Sequence, residues 1–368
     1  MTHALLPSGF RDRLPPDADA AAAVEARVLD AARLHGYERV EPPLAEFEDA
    51  LAHRLKATRA QDAVRFVDPI SQRTLAIRPD LTAQVARIAA TRMGHHPRPV
   101  RLSYAGPVLR LRGPELAPAR ERRQAGCELI GLDTIAAARE IVVVAVEALE
   151  AAGVAGISVD FTLPDLLGVL AAGPLPLDAG AVETLADRLD AKDAGAVAAI
   201  APSYLPLIEA AGPFDAALER LRALDGGGAL GTRLDGLAAV ADAVRGRAAL
   251  TLDPTERHGF EYQTWLGFSL FADGARGEIG RGGSYTIVHE DGAEEAAIGF
   301  SLYIDAIVAA APTEQDRRRL FVPLGSDQAL AAKLRSDGWV TVAALAPGDT
   351  PEAQLCTHVL VDGGVRGC

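Results

Sequence analysis

Two strand-length segments, Val100–Arg112 and Arg122–Gly131, joined by a loop holding Gly113, Pro114 and Pro118, constrain this chain more than any other feature. Side chains two apart along a strand share a face. Arg110 and Arg112 therefore project together from the first segment, and Gln124 and Glu128 from the second. If the segments pair as a hairpin, one sheet face carries a guanidinium, an amide and a carboxylate. Such groups are costly to bury without partners. A zwitterionic amino acid would supply them, its carboxylate meeting an arginine and its ammonium meeting the carboxylate and the amide. An ordinary solvated sheet face is the competing reading, and spacing alone leaves both open.

The flanking sequence completes an α+β pattern in several parts. Residues 1–163 open with a turn at Leu14-Pro15-Pro16-Asp17 and a helix with Val24, Val28, Ala31 and Ala32 at helical spacing, stopped at His35-Gly36. A short strand, Tyr37–Glu41, ends at Pro42-Pro43. Arg65–Arg78 alternates about Asp68-Pro69 as a hairpin, Leu81–Met93 is helical, and Ala136–Ala151 is a long apolar helix. Residues 164–247, rich in Ala and Leu and broken by Gly and Pro, read as a helical insertion. Residues 248–312 return to strands at Ala249–Leu252 and Gly259–Phe271, then glycine-rich chain, then an apolar helix over Gly299–Ala311. Pro312–Arg318 reads as a linker. Residues 319–368 form a small α/β appendage, with strands at Leu320–Pro323, Trp339–Ala344 and His358–Val361 and a helix near Asp327–Ser336.

Charge and cysteine usage narrow the function classes. A net charge of −13 repels a polyanion, whose binding draws on phosphate neutralisation and counterion release. The chain is 49% hydrophobic without an apolar run of about 18 residues, so no membrane span is expected. The N-terminal residues carry Arg11, Asp12 and Arg13 and lack the apolar core of an export signal. Cys127, Cys356 and Cys368 have no paired spacing, which suits a reducing cytoplasm and neither a disulfide framework nor a zinc cluster. No metal or cofactor is expected.

Three local patterns invite chemistry and have plainer readings. Gly226-Gly227-Gly228-Ala229-Leu230-Gly231 has dinucleotide-loop spacing but follows the helical stretch Phe214–Leu224 rather than a strand, and reads as a loop. His95-His96 lies between Gly94 and Pro97 and reads as a helix end. Cys127 falls on the strand face opposite Glu128 and reads as a core thiol. The run Arg120, Arg122 and Arg123 is either a phosphate contact or a solvated loop end.

Motif content carries the reading further. Leu109–Pro114 followed by Arg120–Gly131 resembles motif 2 of histidyl-tRNA synthetases. Ser8–Asp12 and Gly36–Pro42 are similar to that family's N-terminal signature and motif 1. Arg78-Pro79-Asp80-Leu81-Thr82 resembles its RPEGT loop, and Gly259–Thr264 its RGLDYYT segment. Gly282-Gly283-Ser284-Tyr285 is similar to GGRYD, and Gly299-Phe300-Ser301-Leu302 to the opening of motif 3. These segments occur in the family's order. The resemblance implies a class II synthetase-like antiparallel sheet flanked by helices, with a helical insertion and a small C-terminal α/β appendage. Motif 1 further implies a dimer.

Carried over position by position, the family's histidine ligands fall on Asp80, Thr82, Gln124, Glu128 and Tyr262, and Gln263 replaces a second tyrosine. Arg110 is retained from motif 2, and the arginine of the RGLDYYT segment falls on His258. The motif 3 arginine falls on Ala306, beside Asp305, while Arg112-Gly113 stand where the family has a glutamate and an arginine. Adenylate formation depends on cations aimed at phosphate charge. Aminoacylation is therefore expected to be lost while an amino-acid pocket of Asp80, Thr82, Arg110, Gln124, Glu128, His258 and Tyr262 persists. The tail after Pro312 is also shorter than the family's anticodon-binding domain and has few aromatics and no dense basic run.

This combination is similar to the regulatory subunits of short-form ATP phosphoribosyltransferases. The resemblance implies a cytoplasmic, non-catalytic partner of the catalytic subunit, assembled as a hetero-octamer, with L-histidine as effector and no tRNA. A divergent active histidyl-tRNA synthetase and an ATP-dependent amino-acid ligase are the alternatives.

Overall fold

The structure, a computed structural model, describes residues 6–52, 63–112, 119–225, 228–257, 263–311 and 318–368. The chain divides into two compact units, Met1–Pro312 and Thr313–Cys368.

The first unit is built on a nine-stranded, mostly antiparallel sheet. Its strands in chain order are β1 (Glu38–Arg39), β5 (Val100–Leu109), β6 (Glu121–Ile130), β7 (Ser158–Thr162), β8 (Gly212–Pro213), β9 (Ala249–Leu252), β10 (Gln263–Phe271), β11 (Gly280–Val288) and β12 (Glu294–Tyr303). In space they run β1-β5-β6-β12-β11-β10-β7-β9-β8, with only the β1–β5 and β7–β9 pairs parallel. A separate three-stranded sheet orders β2 (Ala45–Phe47), β4 (Thr74–Ile77) and β3 (Val64–Val67).

One face of the large sheet is apolar and covered by helices. Ala125, Cys127 and Leu129 of β6 and Phe300 and Leu302 of β12 are fully or almost fully buried there, with Phe268 of β10 and Phe161 of β7. Helix α1 (Asp17–Leu34) lays Ala21, Val24, Val28 and Ala32 on this core, and α4 (Ile135–Ala151) adds Ile141, Val142, Ala145 and Leu149. Both helices have chemically explicit ends. Gly36, at φ +82°, sends its N–H to Arg33 O while the Tyr37 N–H reaches Ala32 O, a double closure that only a left-handed residue allows cheaply. Thr134 caps α4 by accepting from the Ala137 N–H at 3.2 Å.

The opposite face is only partly covered. Short helix α2 (Glu48–Ala52) precedes α3 (Thr82–Thr91), whose Val85, Ala86 and Ala89 pack with Val100, Leu102, Ile130, Ile287 and Ala297. Beyond α3 the sheet face is polar and rich in glycine, which is where the candidate site lies.

Between β7 and β9 come α5 (Leu166–Ala172), α6 (Ala179–Asp190), α7 (Ala194–Ile200), α8 (Pro206–Glu209), α9 (Phe214–Leu224) and α10 (Gly231–Asp242). This stretch is not purely helical: β8 pairs antiparallel with β9 and becomes an edge of the main sheet. The second unit has a sheet ordered β14 (Val340–Ala343), β13 (Arg319–Val322), β15 (His358–Val361) and β16 (Gly364–Gly367). Helix α12 (Gln328–Ser336) packs Ala331 on Leu320, Val322 and Leu360.

Two sequence expectations fail in the same region. The chain after Phe271 is two long strands, β11 and β12, and the helix expected over Gly299–Ala311 is only α11 (Ile304–Ala310), because Gly299–Tyr303 is strand. Glycine hides these strands: Gly280, Gly282, Gly283 and Gly299 lower β propensity, yet each sits where another group crowds the backbone. A Cβ on Gly282 would run into the Phe268 ring, and one on Gly299 into Glu128 Oε2 and the Cys127 carbonyl. Strand β16 was missed for the same reason of composition. The expected linker at 312–317 lies outside the described residues.

Candidate functional site

The polar face is fixed by register. Gln124, Gly126 and Glu128 of β6 stand opposite Tyr303, Ser301 and Gly299 of β12, and Gly126 stands opposite Tyr104 of β5. Directly opposed residues in an antiparallel pair share a face. Tyr104, Gln124, Glu128 and Ser301 are therefore brought to one spot by three strands, each buried to within a few per cent.

The fourth side is the segment before α3, held by Arg78. This buried guanidinium gives Nε to Pro107 O (2.7 Å) and Nη1 to Pro42 O (2.8 Å), and it lies across Gly106, whose missing Cβ makes the space. Burial pushes its pKa down, with Glu46 working against that shift. Anchored there, the chain delivers Asp80 and Thr82. Asp80 Oδ1 accepts the Thr82 N–H at 2.7 Å, and its Oδ2 accepts Gln124 Nε2 at 3.1 Å.

A continuous hydrogen-bond network results. Gln124 Oε1 accepts the Leu81 N–H, and its Nε2 also donates to Ser301 Oγ. Ser301 Oγ lies 2.9 Å from the Tyr104 hydroxyl. Tyr104 donates to Glu128 Oε1 at 3.0 Å, and Tyr285 of β11 donates to Glu128 Oε2 at 2.8 Å. Burial pushes the Glu128 carboxyl up to about 8, against the opposing hydrogen bonds from Tyr285, Thr82 and Tyr104 and with a further push from Asp80. Burial also drives the Tyr104 hydroxyl well above its usual value. Among the described residues the groups that bond to Glu128 are hydroxyls and not cations, so the pocket is an acidic site with neutral donors.

Of the sequence-derived site residues, Asp80, Thr82, Gln124 and Glu128 are brought into this network. Arg110 is not among its hydrogen-bonding partners. Its N–H bonds to Arg120 O beyond the last β5–β6 pair, and its charge acts on Arg122, whose pKa is lowered by burial first and by Arg110 second. Burial pushes the Tyr303 hydroxyl up, and the charges of Arg110 and of Asp80 both reach it, Arg110 lowering and Asp80 raising its pKa; Tyr303 is the register partner of Gln124. His258 and Tyr262 lie outside the described residues. Tyr104, Tyr285 and Ser301 were not among the expected ligands. Tyr285 and Ser301 lie in the segments that resemble GGRYD and the opening of motif 3, and Tyr104 pairs with Gly126 in the β5–β6 hairpin, but their bonds to Glu128 and Gln124 appear only with the strand register.

The other end of the face is closed by different chemistry. Asp305, at the start of α11, pairs with Arg13 and with Arg11 (3.0 Å) and accepts the Arg123 N–H at 3.1 Å. Burial pushes its carboxyl up, and Arg123, Arg13 and Arg11 together more than reverse that, leaving it below the usual carboxylate range. The Arg120 N–H reaches Gly9 O at 2.9 Å, so the N-terminal segment lies along this end. Ala306 is packed against the main core and offers no cation. Arg281 is engaged by Glu278 at 2.6 and 2.5 Å. Cys127 faces the main core, where burial pushes its thiol up, as a packed residue and not a nucleophile.

Comparison with known proteins agrees with this architecture. Residues 9–307 match the profile of the family described as histidyl-tRNA synthetase. By sequence the chain is 44% identical to an ATP phosphoribosyltransferase regulatory subunit from Paramagnetospirillum magneticum, over 98% of this chain and 97% of that one. It is 43% identical to one from Rhodospirillum centenum, over 99% and 96%. By structure it is similar to a Bacillus halodurans protein described as ATP phosphoribosyltransferase regulatory subunit/histidyl-tRNA synthetase, with a TM-score of 0.81, 22% identity and 96% of each chain covered. The histidyl-tRNA synthetase of Nostoc gives a TM-score of 0.77 at 16% identity, over 98% of this chain and 91% of that one, and so shares the fold. With a class II synthetase-like sheet and full-length identity above two-fifths to these relatives, the chain belongs to the family of ATP phosphoribosyltransferase regulatory subunits.

Proposed function

We propose that this chain is the non-catalytic regulatory subunit of a short-form ATP phosphoribosyltransferase, acting in the first step of histidine biosynthesis. The observation that carries the reading is the full-length identity to relatives of that name. The site supports it from a second direction. The pocket of Asp80, Thr82, Gln124 and Glu128 is built for an amino acid, while the neighbouring end lacks a cation at Ala306 and has Asp305 occupied by Arg11 and Arg13. Such a chain binds an amino acid and does not activate it with ATP. Aminoacylation is lost.

The effector in this reading is L-histidine, bound in that pocket. The partners are the catalytic subunit and a second copy of this chain within a hetero-octamer in the cytoplasm. The net charge of −13 disfavours tRNA. Regulation is linkage: histidine binds one assembly state more tightly and shifts the catalytic subunits toward the inhibited state, with a coupling of about 1–3 kcal/mol.

Co-expression with a tagged short-form catalytic subunit tests the reading. A stable mixed complex is expected, together with no histidine-dependent pyrophosphate exchange by this chain alone. Absence of the complex overturns the proposal. Pyrophosphate exchange would instead favour an active histidyl-tRNA synthetase or, without tRNA charging, an amino-acid ligase.

A further inference from the structure

The corner between α6 and α7 carries a lysine where backbone geometry favours glycine. Helix α6 closes at Ala191, and the next residue, Lys192, has φ +55°. Its N–H reaches Leu189 O at 3.0 Å and the Asp193 N–H reaches Arg188 O at 2.9 Å, a helix stop whose left-handed position is usually glycine. A long side chain in that conformation is uncommon and points to a constraint from its surroundings. Here the surroundings are two acceptors on another segment. Lys192 Nζ donates to Asp253 Oδ1 at 2.7 Å and to Thr255 Oγ1 at 2.5 Å.

Three elements pin that segment, residues 253–257. Strand β7 holds its start and middle: the Asp253 N–H reaches Phe161 O at 2.9 Å, and Thr162 Oγ1 donates to Glu256 O at 2.8 Å. Helix α6 holds its end, with Asp190 Oδ1 accepting the Arg257 N–H at 2.8 Å and Asp187 lying 3.6 Å from the Arg257 guanidinium. The α6–α7 corner holds the turn between, where Asp253 Oδ1 also accepts the Thr255 N–H at 3.1 Å. The ammonium has a second effect. The Asp160 carboxyl, pushed up by burial, is raised further by Asp253 and relieved by Lys192, so without the ammonium two carboxylates would press on each other.

The pinned segment stands at the far end of the row that carries Glu128. Glu128, Gly299, Gly283, Gly267 and Thr162 are successive register partners across the sheet. Four strand spacings, about 19 Å, separate the two ends. Five residues, 258–262, join Arg257 to the first residue of β10. Resting on the reading of the Glu128 pocket as an amino-acid site, we infer that Lys192 is a positioning residue for ligand binding. By holding 253–257 it fixes the direction from which the chain enters β10, whose neighbours β11, β12 and β6 carry Tyr285, Ser301 and Glu128. The helical stretch between β7 and β9 is thereby linked in energy to the ligand. Linkage is reciprocal, so the ligand in turn steadies the α6–α7 corner.

Calorimetric titration of the full chain with L-histidine tests this, with Arg233→Met as the control. The Arg233–Asp165 pair lies in the same helical stretch at similar side-chain exposure, 33% and 30% against 34% and 19% for Lys192–Asp253. Among the described residues the Arg233 guanidinium bonds to Asp165 and not to 253–257. Lys192→Gly removes the ammonium and suits the left-handed backbone, so the fold is expected to persist. It is expected to weaken histidine by about five- to fiftyfold, against less than about twofold in Arg233→Met. Lys192→Arg, which keeps a cation, is expected to stay within about threefold of wild type. Histidine binding unchanged in Lys192→Gly, or an equal loss in Arg233→Met, overturns the inference and leaves the pocket reading intact. Should Lys192→Gly fail to fold, hydrogen exchange on the wild type decides. Saturating histidine should slow the Lys192 and Asp193 amides more than those of α10, and equal slowing overturns the inference. No binding of histidine by the wild type overturns the pocket reading and the inference with it.

Discussion

Replacing Glu128 by glutamine should remove most of the pH dependence of stability between pH 4.5 and 8. The Glu128 carboxyl is buried, its carboxyl is pushed up to about 8, and it has an ordinary value near 4.5 once the chain unfolds. Across that window the folded state holds a proton that the unfolded state has released. The stability is therefore fully present below pH 4.5 and is lost as pH rises through 8. At about 1.4 kcal/mol per pKa unit, the loss is about 3 kcal/mol by pH 7 and about 5 kcal/mol above pH 8. Glutamine keeps the shape, accepts from Tyr104 or Tyr285 with its oxygen, and has no proton to lose. Urea unfolding of the first unit, followed through Trp265 in a Trp339→Phe background, is the assay. Glu128→Gln should be close to wild type at pH 5 and more stable by a few kcal/mol at pH 8. Parallel profiles for the two proteins between pH 5 and 8 would refute the reasoning.

The same group makes ligand binding proton-linked. With a carboxyl near 8, Glu128 is about nine-tenths protonated at pH 7, and an incoming cation would ionise it. With its ammonium on Glu128, histidine titrated in buffers of different ionisation enthalpy should release close to one proton at pH 7; little net release would show instead that the imidazole, mostly neutral at that pH, takes the proton that Glu128 gives up. Gly299→Ala should destabilise the first unit by about 1–3 kcal/mol, because the added methyl meets Glu128 Oε2 and the Cys127 carbonyl inside a paired strand; a change under about 0.5 kcal/mol in urea unfolding would show that the strands yield. Asp305→Ala removes the shared partner of Arg11, Arg13 and the Arg123 N–H. Trypsin should then cut at Arg11 or Arg13 markedly faster than in wild type, and equal rates would mean that the contacts around Gly9 hold the segment alone.

What the sequence disclosed follows the reach of its signals. Helices α1 and α4 were legible because their buried residues recur at helical spacing and their ends carry Gly36 and Thr134. Strands β5 and β6 were legible from their length and flanking turn residues, and Gln124 and Glu128 from the period of two. Strands β11 and β12 were not, because Gly282, Gly283 and Gly299 were selected by what presses on them and not by strand propensity. Tyr285 and Ser301 stood in motif-like segments, but that gap concealed their bonds with Glu128 and Gln124, which depend on pairing with residues far along the chain. Motif resemblance reached Asp80 and Thr82 but could not reveal that Arg78 fixes them by bonding to Pro42 and Pro107 carbonyls.

The account stands or falls on regulation of a partner enzyme. The steady-state rate of a short-form catalytic subunit, measured while this chain is titrated in and then L-histidine is added, tests that most directly. The rate should rise to saturation with this chain and fall again with histidine, and the fall should be weakened in Glu128→Ala. A catalytic rate indifferent to the chain at every ratio would contradict the account.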